Sequence, residues 1–158
     1  ALLKTRLSHL ALPVAAGNAR SNGIDLAGAV YTVGENESGF GRLSFDLKAD
    51  QCKLDFSGKK GTYSFRFGKG HWVPGSTSKP LNSLTAAAIE RTDMLYPAKV
   101  VGAFAWLDDH TLQLKLRYIE SPHSETYTCT FGDRELKMEM KNSYDFGKKT
   151  MTLQGVRE

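Results

Sequence analysis

The sequence predicts an all-β protein, an antiparallel up-and-down β-barrel of about eight to ten strands in a single domain. Apolar and polar residues alternate with period two along nearly every segment after Ile24, the mark of strands with one buried face. Glycine-bearing and acidic turns interrupt that alternation at short intervals, as in a meander of hairpins. A sheet that is apolar on one face must bury it and hide its edges, and rolling into a barrel does both. The 158 residues suit one domain with a real core and are too few for two comfortable ones.

Residues 1–23 differ from the rest. Leu3, Leu7 and Leu10 have a weak helical spacing cut off by Pro13, and the stretch that follows is small and polar. This reads as a linker or tether leading into a barrel domain over 24–158. Ala29, Tyr31 and Val33 open the strands, and Gly34 to Glu37 turn the chain. Leu43, Phe45 and Leu47 alternate with Ser44, Asp46 and Lys48. After Ala49-Asp50-Gln51, Cys52, Leu54 and Phe56 alternate with Lys53 and Asp55. Gly58 to Gly61 closes a further hairpin into Tyr63, Phe65 and Phe67.

Residues 68–84 break the rhythm. Rich in Gly, Pro and Ser, they read as a long loop, and loops of this length are usually functional. Residues 85–94 read as a strand, although three consecutive alanines there favour helix. Next comes the central hairpin. Its first half, Val100 to Leu107, is apolar on both sides, as a central strand is. Asp108-Asp109-His110 form a turn. In the second half Leu112, Leu114, Leu116 and Tyr118 face one way and Thr111, Gln113, Lys115 and Arg117 the other. Tyr127, Cys129 and Phe131, then Leu136, Met138 and Met140, then Met151 and Leu153 complete the series.

A net charge of +4, spread over outward strand positions, is a solvated face. No basic cluster is interleaved with stacking aromatics, which argues against nucleic acid as a partner. No apolar run reaches the length of about 18 residues that a membrane span needs. Ala1 to Val14 carries Lys4, Arg6 and His9 and does not read as a signal peptide. Cys52 and Cys129 match no metal spacing and fall on the apolar phase of their strands, so they read as buried free thiols.

Catalytic patterns are weak. Ser76-Thr77-Ser78-Lys79 satisfies S-x-x-K, but Pro80 disfavours helix at Lys79, and neither K-T-G nor S-D-N occurs. His110 and His123 sit in turns. His71 and Trp72 lie side by side in the loop; Trp72 plugs the open end of the barrel, or the pair touches a ligand or partner. The inward aromatics Tyr31, Phe45, Phe56, Tyr63, Phe65, Phe67, Phe104, Trp106, Tyr118, Tyr127 and Phe131 fill a small barrel and favour a packed core. No metal or cofactor is called for by any spacing.

The runs YTVGENESGFGRLSFDL, FGKGHWVPG and AFAWLDDHTLQLKLRYIESPH, with the Ala/Leu-rich N-terminal segment, together resemble a known family. It is the C-terminal domain attached to β-lactamase-related serine hydrolases of Bacteroidetes type, relatives of class C β-lactamases and penicillin-binding proteins. The resemblance implies a lipocalin-like barrel that is itself no enzyme, a non-catalytic accessory domain that covers, positions or oligomerises a hydrolase. The implied partner is a catalytic serine-hydrolase domain of the same polypeptide, and the implied location is periplasmic or cell-envelope. The alternatives are a free-standing lipocalin-like binder of small hydrophobic ligands and a self-associating module. The residues put forward for ligand or partner contact are His71, Trp72, Ser76, Lys79 and Trp106.

Overall fold

The computed structural model describes residues 13–14, 17, 23–79, 97–143 and 149–158, and every regular element among them is a strand. The strands are β1 (Ala29–Val33), β2 (Phe40–Lys48), β3 (Gln51–Gly58), β4 (Gly61–Lys69), β5 (Val73–Thr77), β6 (Ala98–Trp106), β7 (Thr111–Tyr118), β8 (Ser124–Phe131), β9 (Glu135–Asn142) and β10 (Thr150–Arg157). They form one sheet in the order β4-β3-β2-β1-β10-β9-β8-β7-β6-β5. Two meanders, β1 to β4 and β5 to β10, are therefore joined edge to edge.

One seam is the antiparallel pairing of β1 with β10, from Tyr31 opposite Arg157 to Val33 opposite Gly155. The other is a parallel contact of β4 with β6, in which Gly68 lies opposite Ala103 and Lys69 opposite Phe104. That contact closes a ring of nine strands, with β5 as a tenth laid along the rest of β6 from Gly102 to Ala98. β4 and β6 approach so closely because Gly102 has no side chain. A Cβ there would lie 2.1 Å from the Arg66 carbonyl oxygen.

The period-two pattern explains which residues are inside. On β7, Leu112, Leu114, Leu116 and Tyr118 are buried while the residues between them are half-exposed. Ten of the eleven predicted aromatics are buried; Tyr63 is half-buried against the core, and Phe40 joins them. Their rings interlock edge-on or tilted, as with Phe56 and Tyr127 at 5.4 Å and Tyr31 and Phe45 at 5.9 Å. Cys52 and Cys129 are buried free thiols. Burial pushes the Cys52 pKa up to about 12 and that of Cys129 well above the ordinary value.

The reading of 68–84 as a loop is corrected in part. Gly68 and Lys69 finish β4, and Val73–Thr77 is a strand. Pro74 and Gly75 conceal it in the sequence, but proline is tolerated on an edge strand, where one side needs no donor. The strand expected at 85–94 lies outside the described residues. Of the 1–23 tether, Pro13, Val14, Gly17 and Gly23 are described, and Gly17 lies against the backbone of Trp106.

The turns at 49–50, 70–72, 107–110 and 132–134 gather at one end of the barrel, here the upper end. Those at 34–39, 59–60 and 119–123 mark the lower end, where β5 also finishes.

Candidate functional site: a buried ion pair in the barrel

The alternation on β8 places Tyr127, Cys129 and Phe131 inside, and carried back two residues it places Glu125 inside as well. Glu125 is 4% exposed. An isolated carboxylate in such a place is very costly, so its partners decide what it is. Tyr118, at the end of β7, donates its hydroxyl to Glu125 Oε1 at 2.8 Å. Tyr127 donates to Oε2 at 2.6 Å. The third donor comes from outside the wall: two residues beyond β5, Lys79 sends its amine inward to Oε2 at 2.5 Å.

Local structure aims Lys79. The Thr77 side chain is buried at the end of β5, and its Oγ1 accepts the Lys79 backbone N–H at 3.0 Å, which turns the chain. The Lys79 Nζ then stands 5.9 Å from the centre of the Phe56 ring and 5.7 Å from that of Tyr127, over the negative faces of both. It also lies 3.5 Å from the Tyr127 hydroxyl.

Burial pushes the Glu125 pKa up, but the Lys79 charge and the hydrogen bonds from Lys79, Tyr127 and Tyr118 together outweigh it. The pKa stays below the ordinary carboxylate value, and Glu125 is ionised at neutral pH. No buried side-chain nitrogen or oxygen among the described residues lacks a partner. The cluster is thus a buried carboxylate that accepts from three described donors beside the Phe56 and Tyr127 rings, two of the donors built into the wall and one arriving from beside the narrow seam.

The predicted site residues do not converge on it. Lys79 belongs to the cluster. Trp106 is buried at the upper end, its ring 6.1 Å from Phe131. His71 is exposed in the upper turn, where its Nδ1 pairs with the Lys69 carbonyl at 3.1 Å and the ring covers Gly68. Trp72 is half-buried with the Arg117 guanidinium 5.7 Å from its ring centre, and Arg117 points outward from β7. Trp72 therefore packs on the outside of the wall and does not plug the barrel. Ser76 is exposed on β5 opposite Lys99. Because Ser76 sits in an extended strand, no helical turn brings it beside Lys79, and S-x-x-K forms no dyad. Among the described residues no group of three or more His, Cys, Asp or Glu is placed to hold a metal, and no helix is long and apolar enough to cross a membrane.

No family model matches the chain. Among solved structures it is similar to a fatty-acid-binding protein from brain tissue of Drosophila melanogaster, 14% identical with a TM-score of 0.54 over 84% of this chain and 99% of that one. It is also similar to the fatty-acid-binding protein of Manduca sexta, 11% identical with a TM-score of 0.51 over 84% and 99% of the two chains. A fatty acid transporter matches at 14% identity and a TM-score of 0.54 over 85% and 96%. The fold is a lipocalin-like barrel. A curated relative, a ferrochelatase of Vibrio atlanticus, is 30% identical over 80 residues, 50% of this chain. The chain spans 25% of that relative's length.

These findings correct the resemblance to the C-terminal domain of β-lactamase-related serine hydrolases. No family model supports it, and the similar lipocalin-like chains are fatty-acid-binding and transport proteins covered over 96% to 99% of their length. A catalytic serine-hydrolase domain of the same polypeptide is accordingly withdrawn as the partner. The physical reason lies in the quoted runs. Alternating strands and glycine turns belong to any up-and-down barrel, and none of those runs contains a residue that only a hydrolase companion would require.

Proposed function

We propose that the barrel is itself the functional unit, a non-enzymatic binder of small hydrophobic molecules. The observation that carries this reading is the hydrogen-bonded Glu125 cluster inside an otherwise apolar interior. Apolar walls with a few convergent polar groups are the usual make-up of a small-molecule site. Replacing a buried ion pair by apolar residues of similar volume is often neutral or stabilising, so stability is weak ground for keeping one here. The lipocalin-like fold, which this chain shares with fatty-acid-binding proteins, supports the same reading. Phe65 and Phe67 of β4 and Phe56 of β3 line the interior beside the narrow seam, where an entering alkyl chain would meet them.

The test is titration with the neutral dye Nile red, followed by its emission and by the fluorescence of the buried Trp106. A saturable signal with one site per chain, whose tryptophan component is lost in Trp106→Phe, is expected. A linear, unsaturable response in the native chain would overturn the reading.

A further inference from the structure

The barrel interior already holds an alkylammonium group, and it is the protein's own. The Lys79 side chain is a four-carbon stem ending in an amine that stands 2.5 Å from Glu125 Oε2, with the Phe56 and Tyr127 rings 5.9 and 5.7 Å away. The other two donors are fixed in the wall, Tyr118 on β7 and Tyr127 on β8. Lys79 alone of the three lies outside a strand. Without it the described part of the cradle keeps the two tyrosine hydroxyls on the Glu125 carboxylate, a negatively charged acceptor that suits a primary ammonium group with an apolar tail.

We propose that Glu125, Tyr118 and Tyr127 form a receptor for the ammonium head of a lipophilic primary amine, with Lys79 occupying it as a tethered stand-in. The inference rests on the binder reading above and names its ligand class. Charge decides the class. An incoming carboxylate finds Glu125 in front of it, and Lys79, the cation that the described residues bring to it, is already engaged. To pair with Lys79 it must break the bond to Glu125 and leave that carboxylate buried with the two tyrosines alone. An incoming ammonium exchanges one cation for another, so Glu125 keeps three donors and the site keeps its net charge. A neutral alcohol restores a hydrogen bond without the charge and falls between the two.

The test compares octylammonium chloride, 1-octanol and sodium octanoate, which share one tail, as competitors of Nile red at neutral pH. The proteins are the full chain, Lys79→Ala and Glu125→Gln. In the native chain octylammonium should compete at least tenfold more strongly than octanoate. In Lys79→Ala it should gain a further tenfold or more, because the stand-in is gone, and it should raise the melting temperature of that variant while octanoate does not. Glu125→Gln should erase the preference for amine over acid.

Octanoate competing as well as octylammonium in the native chain overturns the proposal, and that comparison needs no variant to fold. Unchanged amine affinity in Lys79→Ala overturns it too. Where Nile red binds and the amine has no advantage, the ligand class alone is wrong. Where neither Nile red nor any of the three amphiphiles binds, the binder reading falls with it.

Discussion

The barrel closes twice, and the two seams are built differently. Between β1 and β10 the three register pairs are extended at both ends by backbone bonds, from the Glu158 N–H to the Val30 carbonyl and from the Gly34 N–H to the Gln154 carbonyl. Ordinary alternating residues supply it, and its charged groups, Arg42 and Glu158, sit in water. Between β4 and β6 only two pairs form, in parallel, at a place where a missing Cβ lets the strands approach. Below it β5 parts the two, and the chain leaving β5 turns Lys79 into the interior. A seam of complementary alternating strands closes without help. The other is built with a glycine, an edge strand with a proline, and a buried ion pair toward its lower end, and that ion pair is where the candidate site lies.

The sharpest way to break this contrast is to neutralise the carboxylate beside each seam. Glu125→Gln removes the acid that pairs with Lys79 among the described residues and should cost about 3 kcal/mol, the low end for breaking a buried pair, because the Lys79 side chain is 11% exposed. Urea unfolding at neutral pH measures it. The pH dependence follows from the same charge. The folded pKa of Glu125 lies below its ordinary value of 4.5, so its contribution is full above that value and is lost as pH falls through the lower folded one. The stability gap between native protein and Glu125→Gln should therefore close as urea titrations move from pH 7 into acid. A gap that stays constant would mean that Glu125 is not held as a carboxylate by Lys79.

The faces of the strands were legible because burial and alternation are local. Leu112 to Tyr118 and the two cysteines went where period two sent them. β5 was hidden because Pro74-Gly75 reads as loop chemistry, and its pairing with β6 depends on strand order, which alternation does not encode. Glu125 was within reach, since extending the inward phase of Tyr127 by two residues places a charge in the core. Lys79 stood out for S-x-x-K, a pattern with other chemistry. Its true partner is 46 residues away in sequence, a distance that only the barrel's topology spans.

The glycines offer a second comparison. Gly102→Ala puts a Cβ 2.1 Å from the Arg66 carbonyl oxygen and 2.8 Å from the Phe67 ring, so the backbone of β4 has to move. The expected cost is about 1–3 kcal/mol, the usual range for overpacking, and Nile red binding should change because Phe67 lines the interior. Gly155→Ala at the other seam meets the Tyr31 Cβ at 3.1 Å and the Thr32 carbonyl at 3.4 Å. Its neighbours need to give by only a few tenths of an ångström, so the loss should be below about 1 kcal/mol. Equal losses from the two substitutions would mean that the seams are equally tight.

The smallest effect belongs to the second half of the carboxylate pair. Glu158 accepts from Arg42 at 2.8 Å and from Thr32 at 2.9 Å. This is as many side-chain donors as the tyrosines give Glu125, yet its side chain is 43% exposed. Water competes for both bonds and salt screens the charge, so such pairs contribute about 0–1 kcal/mol. Glu158→Gln should therefore shift the urea midpoint slightly at low ionic strength and negligibly in 1 M salt, while the loss in Glu125→Gln should persist in salt. The same chemical change would then read out the difference between a seam that water reaches and one that encloses its charge. If added salt removed both losses equally, the Lys79–Glu125 pair would be solvated and not enclosed by the barrel.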